Sequence, residues 1–145
     1  MSYITQTNII NRVSEKTLIF WTDDTGAGTV TEATVMAIIA KAEGIIDGYL
    51  SEKVTTPITS PTEIVKAWTE DIAIYLLKSR KMEIDKDDPV LKDYHSTLKQ
   101  LQKVASGSMG VKLSTATLTH NRSMVLDSET REMDWTIPDA VEATE

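Results

Sequence analysis

Apolar residues recur at three- and four-residue intervals along most of the chain, the pattern of helices that each bury one side. Residues 5–22 read as two short helices. Thr5 can cap the first, whose apolar side holds Ile9, Ile10 and Val13, and Ser14 can cap the second, which carries Leu18, Ile19, Phe20 and Trp21. A run of turn formers, Asp23-Asp24-Thr25-Gly26-Ala27-Gly28-Thr29, leads to the clearest element, a long helix over about 31–52. Val35, Ile38, Ile39, Ala42, Ile45, Ile46, Tyr49 and Leu50 form its wide apolar stripe. Gly44 and Gly48 fall elsewhere on the wheel, near Ala37. Each glycine costs a helix interior about 1 kcal/mol relative to alanine. A pair at this spacing suggests that another backbone comes close, either a helix of the same chain or a neighbouring subunit.

A loop around Pro57 separates this helix from the next. Ser60-Pro61-Thr62-Glu63 reads as an N-cap, a proline at the first helical position and a glutamate at the third, with the helix running to about Lys81. Ile64, Val65, Trp68, Ile72, Tyr75 and Leu76 share one stripe, while Ile74 and Leu77 lie on another side. A helix that is apolar on more than one side is either central or also buried between subunits. Ile74 and Leu77 are therefore interface candidates beside Ala37, Gly44 and Gly48. Asp88-Pro89 starts the last helix, with Leu91, Tyr94, Leu98, Leu101 and Ala105 on its stripe and Gly107 at its end. Lys92, Lys99 and Lys103 share the opposite face, either as a solvated surface or as the lining of a DNA channel.

After Gly110 the pattern changes. Val111-Lys112-Leu113 and Ala116-Thr117-Leu118-Thr119 alternate and are rich in threonine, as short strands are. Residues 121–145 read as extended or disordered, with Met124, Val125, Leu126, Trp135 and Ile137 as apolar anchors able to dock on a partner. The expected fold is mainly α. Residues 1–110 form a small helical bundle around one long central helix, and residues 111–145 form a short β or extended C-terminal arm.

Composition narrows the chemistry. At 145 residues, 41% hydrophobic and 26% charged, the chain suits a single soluble domain. With no cysteine there is no disulfide framework, thiolate nucleophile or Cys-based zinc site, and two histidines, His95 and His120, are little material for a metal centre. The net charge of -7 opposes tight nonspecific binding to a phosphate backbone. That charge is uneven: residues 111–145 carry 3 cationic and 7 anionic side chains, net -4, against net -3 for residues 1–110. The start, Met1-Ser2-Tyr3, lacks a signal-peptide pattern, and no apolar run reaches the roughly 18 residues of a membrane span. A soluble protein of cytoplasmic origin, without a membrane, is expected.

No phosphate-cradling Gly-rich loop, nucleophile elbow or His-Glu-x-x-His motif occurs. Asp47, Asp71 and His95 are the residues an enzyme would use, but no motif makes them converge, so no enzyme and no cofactor are expected. Asp71 is expected to be a hydrogen-bonded structural carboxylate. The Asp23 loop places Gly28 and Val30 where a calcium EF-hand wants glycine and an apolar residue, yet Thr25, Ala27 and Thr34 stand at ligand positions. A metal is not expected there. An alternative to the reading below is a small helical regulatory or binding module with this degenerate EF-hand-like loop.

Several pieces, in order, resemble the Mu-type phage head–tail connector family, a group of small virion proteins. They are Tyr3-Ile4-Thr5, the Thr22-Asp23-Asp24 turn with Gly26 and Gly28, Ile46-Asp47-Gly48-Tyr49-Leu50, and the Pro57 loop. Trp68-Thr69-Glu70-Asp71-Ile72-Ala73-x-Tyr75-x-Leu77 follows, then Leu98-Lys99-Gln100-Leu101 with Ala105-Ser106-Gly107. The resemblance covers about residues 3–113. Members of that family often carry a more acidic loop near Asp23, from which this sequence departs. The resemblance implies a non-catalytic adaptor, assembled in the host cytoplasm and retained in the virion. Its implied partners are other copies of itself in a ring, the portal protein, and a tail-completion or tail-tube protein, with DNA passing without tight binding. Ring formation needs two different complementary patches, for which the Ala37/Gly44/Gly48 and Ile74/Leu77 sides are candidates.

Overall fold

The computed structural model describes residues 2–115, and expectations for residues 116–145, including the anchors Met124, Trp135 and Ile137, lie outside them. Five helices follow one another: α1 (Gln6–Val13), α2 (Glu15–Thr22), α3 (Glu32–Leu50), α4 (Glu63–Ser79) and α5 (Pro89–Ala105). The fold is mainly α, and an isolated antiparallel bridge, Pro61 to Ser114, is the β pairing among the described residues. No helix of the described residues is long and apolar enough to cross a membrane.

Local chemistry sets most of the boundaries. Asn8 Oδ1 accepts from the Thr5 N–H and hydroxyl, both at 2.8 Å, while the Asn8 N–H donates to the Thr5 carbonyl at 3.1 Å. This reciprocal pairing fixes the start of α1. Ser14 closes α1 and opens α2 at once: its N–H donates to the Ile10 carbonyl at 2.9 Å and its Oγ accepts from the Thr17 N–H at 3.3 Å. Asp88 caps α5 by accepting from the Val90 N–H at 2.9 Å, with Pro89 at the first helical position. Gly107 ends that helix at a φ of +83°.

Ser14 makes this double cap at φ 76°, ψ 150°, a region that glycine alone occupies comfortably. Ser14→Gly relieves that strain and gives up only a few tenths of a kcal/mol of capping, whereas Ser14→Ala keeps the strain and loses the cap. The glycine variant is expected to be more stable than the alanine variant by about 1–2 kcal/mol, opposite to helix propensity, as urea unfolding would measure.

The start of α4 departs from the sequence expectation. Pro61 is not its first helical residue, and Thr62 takes the N-cap position. Residues 60–62 are held extended against 112–115: Thr115 N–H donates to the Ser60 carbonyl at 2.7 Å, Thr62 N–H to Leu113 at 3.3 Å, and Thr62 Oγ1 to Lys112 at 2.7 Å. Pairing with a segment some fifty residues away outweighs the local Ser-Pro signal. Residues 112–115 are thereby fastened to the helical body, with Leu113 buried in it.

The core lies where α3 and α5 pack on α4. Val35, Ile39, Ala42, Ile46 and Leu50 of α3 meet Val65, Trp68, Ile72, Ala73 and Leu77 of α4, and Leu101 and Val104 close the side formed by α5. Helix α5 is turned slightly from the expected stripe: Thr97, Leu101 and Val104 are its buried residues, and Leu91 is half-buried. The Trp68 indole N–H donates to Gln100 Oε1 at 2.8 Å, tying α4 to α5, and Tyr75 stacks on Tyr94 with ring centres 3.9 Å apart.

Candidate functional site

Helix α3 buries one side and turns the other outward. Ala33, Met36, Ala37, Ala40, Gly44 and Gly48 are all exposed, with Lys41 the single charged residue among the exposed positions from Ala33 to Gly48. A Cβ added at Gly44 or Gly48 would meet nothing within 4 Å. Among the described residues no backbone approaches the glycine pair, so the helices described do not account for it. The opposite outcome holds for the second candidate patch. Ile74 is 4% exposed and Leu77 fully buried, both inside the chain's own core. Helix α4 is apolar on two sides because it is central, lying between α3 and α5; Leu77 is enclosed there, and Ile74 reaches the wall of the cleft described below. Lys92, Lys99 and Lys103 all project from the exposed side of α5; Lys92 reaches Asp87 at 3.8 Å, a pair of two well-solvated groups.

Asp47, Asp71 and His95 have separate surroundings. Asp47 on α3 accepts from the Tyr3 hydroxyl, which in turn accepts from the Ile58 N–H at 2.8 Å. Glu43, one turn earlier, accepts from the Tyr3 N–H at 2.6 Å. Tyr3 thus clamps the N-terminal segment and the Pro57 loop onto α3. Burial, then the hydrogen bond to Asp47, pushes the Tyr3 phenol up, and burial also raises the Glu43 carboxyl. Asp71 is hydrogen-bonded through both oxygens: Oδ1 accepts from Arg12 at 2.6 Å and Oδ2 from the Thr97 hydroxyl at 2.8 Å. Arg12 also lies 3.5 Å from Glu70. His95 is exposed beside Tyr94.

Sequence reasoning missed one feature, a cleft of about 150 Å³ lined by Arg12, Val13, Asp71, Ile74, Val90 and Asp93. It joins α1, α4 and α5, and nothing in the local pattern around Arg12 signals a partner 59 residues away.

The Asp23 loop is held by its own backbone. Asp23 Oδ1 accepts from the N–H groups of Thr25, Gly26 and Ala27 at 3.0, 2.8 and 3.1 Å, and Oδ2 from Gly28 at 2.7 Å. Gly26 and Gly28 sit at φ +77° and +76°, which lets these amides converge. Asp24 pairs with Arg80 at 2.8 Å and Lys81 at 2.7 Å, fastening the loop to the end of α4. The carboxylate that an EF-hand would give to calcium is committed here to N–H donors. Those donors, Gly28 foremost, pull the Asp23 carboxyl from 3.8 down to about 2.

This shift has a sign in stability. The native loop binds the Asp23 proton more weakly than the unfolded chain, so its contribution is present above pH 3.8 and is lost as pH falls towards about 2. Asp24, lowered by Lys81 and Arg80, and Asp88, lowered by Lys78 and the Val90 N–H, act in the same direction. Glu43 and Glu70, both raised by burial, act oppositely: their contribution is present below 4.5 and is lost as pH rises past their raised values. Stability is therefore expected to climb from pH 2 to 4, and Asp23→Asn is expected to flatten that climb in thermal melts across the same range.

Over residues 3–127 the chain matches the family described as Bacteriophage Mu, Gp36. The Mu-like prophage FluMu protein gp36 of Haemophilus influenzae is 29% identical over 114 residues, which span 77% of each chain. The matched range runs through all five helices, the Asp23 loop, the Tyr3 clamp and the outward face of α3. A match of that extent shows that the chain belongs to the Bacteriophage Mu Gp36 family of phage proteins.

Proposed function

We propose that this chain is a structural assembly protein of a phage particle that joins the portal of the DNA-filled head to the tail. It works by forming a ring of copies, is assembled in the host cytoplasm and remains in the virion. The observation that carries this reading is the outward face of α3. Two helix-interior glycines, each costing about 1 kcal/mol, lie in open space on a face that is nearly uncharged. The described residues make no contact there, whereas a second surface could approach them closely. The partners are further copies, the portal protein and a tail-completion or tail-tube protein. The net charge of -7 suits a conduit through which DNA slides without sticking.

The experiment is light scattering on the purified chain, followed by pull-down with the portal protein and with tail components. Retention on portal or tail supports the reading, and failure to bind any of them under assembly conditions overturns it. A monomer in isolation is compatible with a ring that forms only on its partner. Gly44→Ala and Gly48→Ala are each expected to stabilise the isolated chain by about 0.5–1 kcal/mol, since each new methyl meets no neighbour. The same variants are expected to weaken assembly.

A further inference from the structure

We propose that Lys41 of one copy seats in the cleft between Arg12, Asp71 and Asp93 of a second copy, and that this is the head-to-tail contact of the assembly. The inference rests on the assembly reading above and names the contact that it requires. Within the cleft the charged groups are not equivalent. Both Asp71 oxygens are taken, one by Arg12 and one by Thr97, and Arg12 is shared between Asp71 and Glu70. Asp93 is exposed and, among the described residues, has neither a hydrogen bond nor an ion pair from its side chain. Val13, Ile74 and Val90 give the cleft apolar walls. Apolar walls with one unmatched carboxylate fit a side chain that has a hydrocarbon stem and a cationic tip.

The outward face of α3 presents such a side chain. Lys41 is the one charge among its exposed positions from Ala33 to Gly48, and no carboxylate of the described residues pairs with it. Its neighbours Ala37, Ala40 and Gly44 are small, so a second surface can come close enough for the four-carbon stem to enter a cleft. A helix face crowded with long side chains would hold that surface away. The two patches are different, one on α3 and one formed by α1, α4 and α5. Their pairing is therefore heterologous, the kind of contact that closes into a ring.

The absence of cysteine from the chain makes the contact directly testable. The full chain carrying Lys41→Cys and Asp93→Cys together is concentrated alone and with portal protein, then oxidised. Head-to-tail contact yields a ladder of multimers on a non-reducing gel, whereas a mixture of the two single variants stops at dimers. Lys41→Glu and Asp93→Lys are each expected to weaken association about tenfold or more, and the two combined in one chain to restore it. Multimers that form without the ladder, and are indifferent to both charge reversals, overturn this contact and leave the assembly reading standing. No multimer, alone or with portal, together with no retention on portal or tail, overturns both.

Discussion

Leu77→Ala is expected to lower the stability of the isolated chain by about 2–5 kcal/mol, a Tm drop of roughly 10–20 °C, seen as directly in a monomer as in any assembly. Leu77 is fully buried in the central helix α4, in the core that α3 and α5 close. Removing its branched end deletes contacts on several sides, and the backbone of a helix held between two others relaxes little into the void. A surface leucine would behave differently: its truncation would leave monomer stability within about 0.5 kcal/mol and register only in assembly. Urea unfolding of the monomer separates the two cases, and an unchanged midpoint would contradict the buried placement.

Trp68→Ala is expected to be the most damaging single substitution, at about 3–5 kcal/mol. The indole is 2% exposed and fills the space where α3, α4 and α5 meet. Its N–H also gives Gln100 Oε1 a partner at 2.8 Å. Trp68→Phe keeps most of the ring volume and gives up the hydrogen bond, for about 1 kcal/mol. The difference between the two variants measures packing against polar anchoring. If alanine and phenylalanine cost the same, the ring is not the element that fixes α5 on α4.

These two residues also say what a sequence motif meant. The run from Trp68 to Leu77, part of the resemblance to a phage family, is taken up with packing and helix-to-helix contacts. Trp68 anchors α5, Thr69 donates to the Val65 carbonyl at 2.8 Å, Glu70 and Asp71 hold Arg12, and Ile72 and Ala73 fill the core. Where signals are local, the sequence was legible: Thr5, Ser14, Asp88-Pro89 and Gly107 mark helix ends because capping needs only neighbours in the chain. Ser60-Pro61 misled because its partners, 112–115, lie far along the chain. The two-sided apolar pattern of α4 fits a central or an intersubunit helix, and periodicity alone has no means of choosing between them. Gly44 and Gly48 stand out as an anomaly, but only the three-dimensional arrangement shows that none of the described residues uses the space beside them. The Arg12–Asp71–Asp93 cleft was invisible, because three helices must pack before its residues meet.

Ser14 has a consequence for how the first part of the chain opens and closes. Helices α1 and α2 have eight residues each, too short to persist in water by themselves. One residue supplies the last backbone donor of the first and the side-chain acceptor of the second, with no slack between them. Fraying of either helix at that corner removes a partner from the other. Amide hydrogens on the two sides of the corner therefore exchange with solvent through a common opening event, and two elements that look separate along the sequence act as a single cooperative unit.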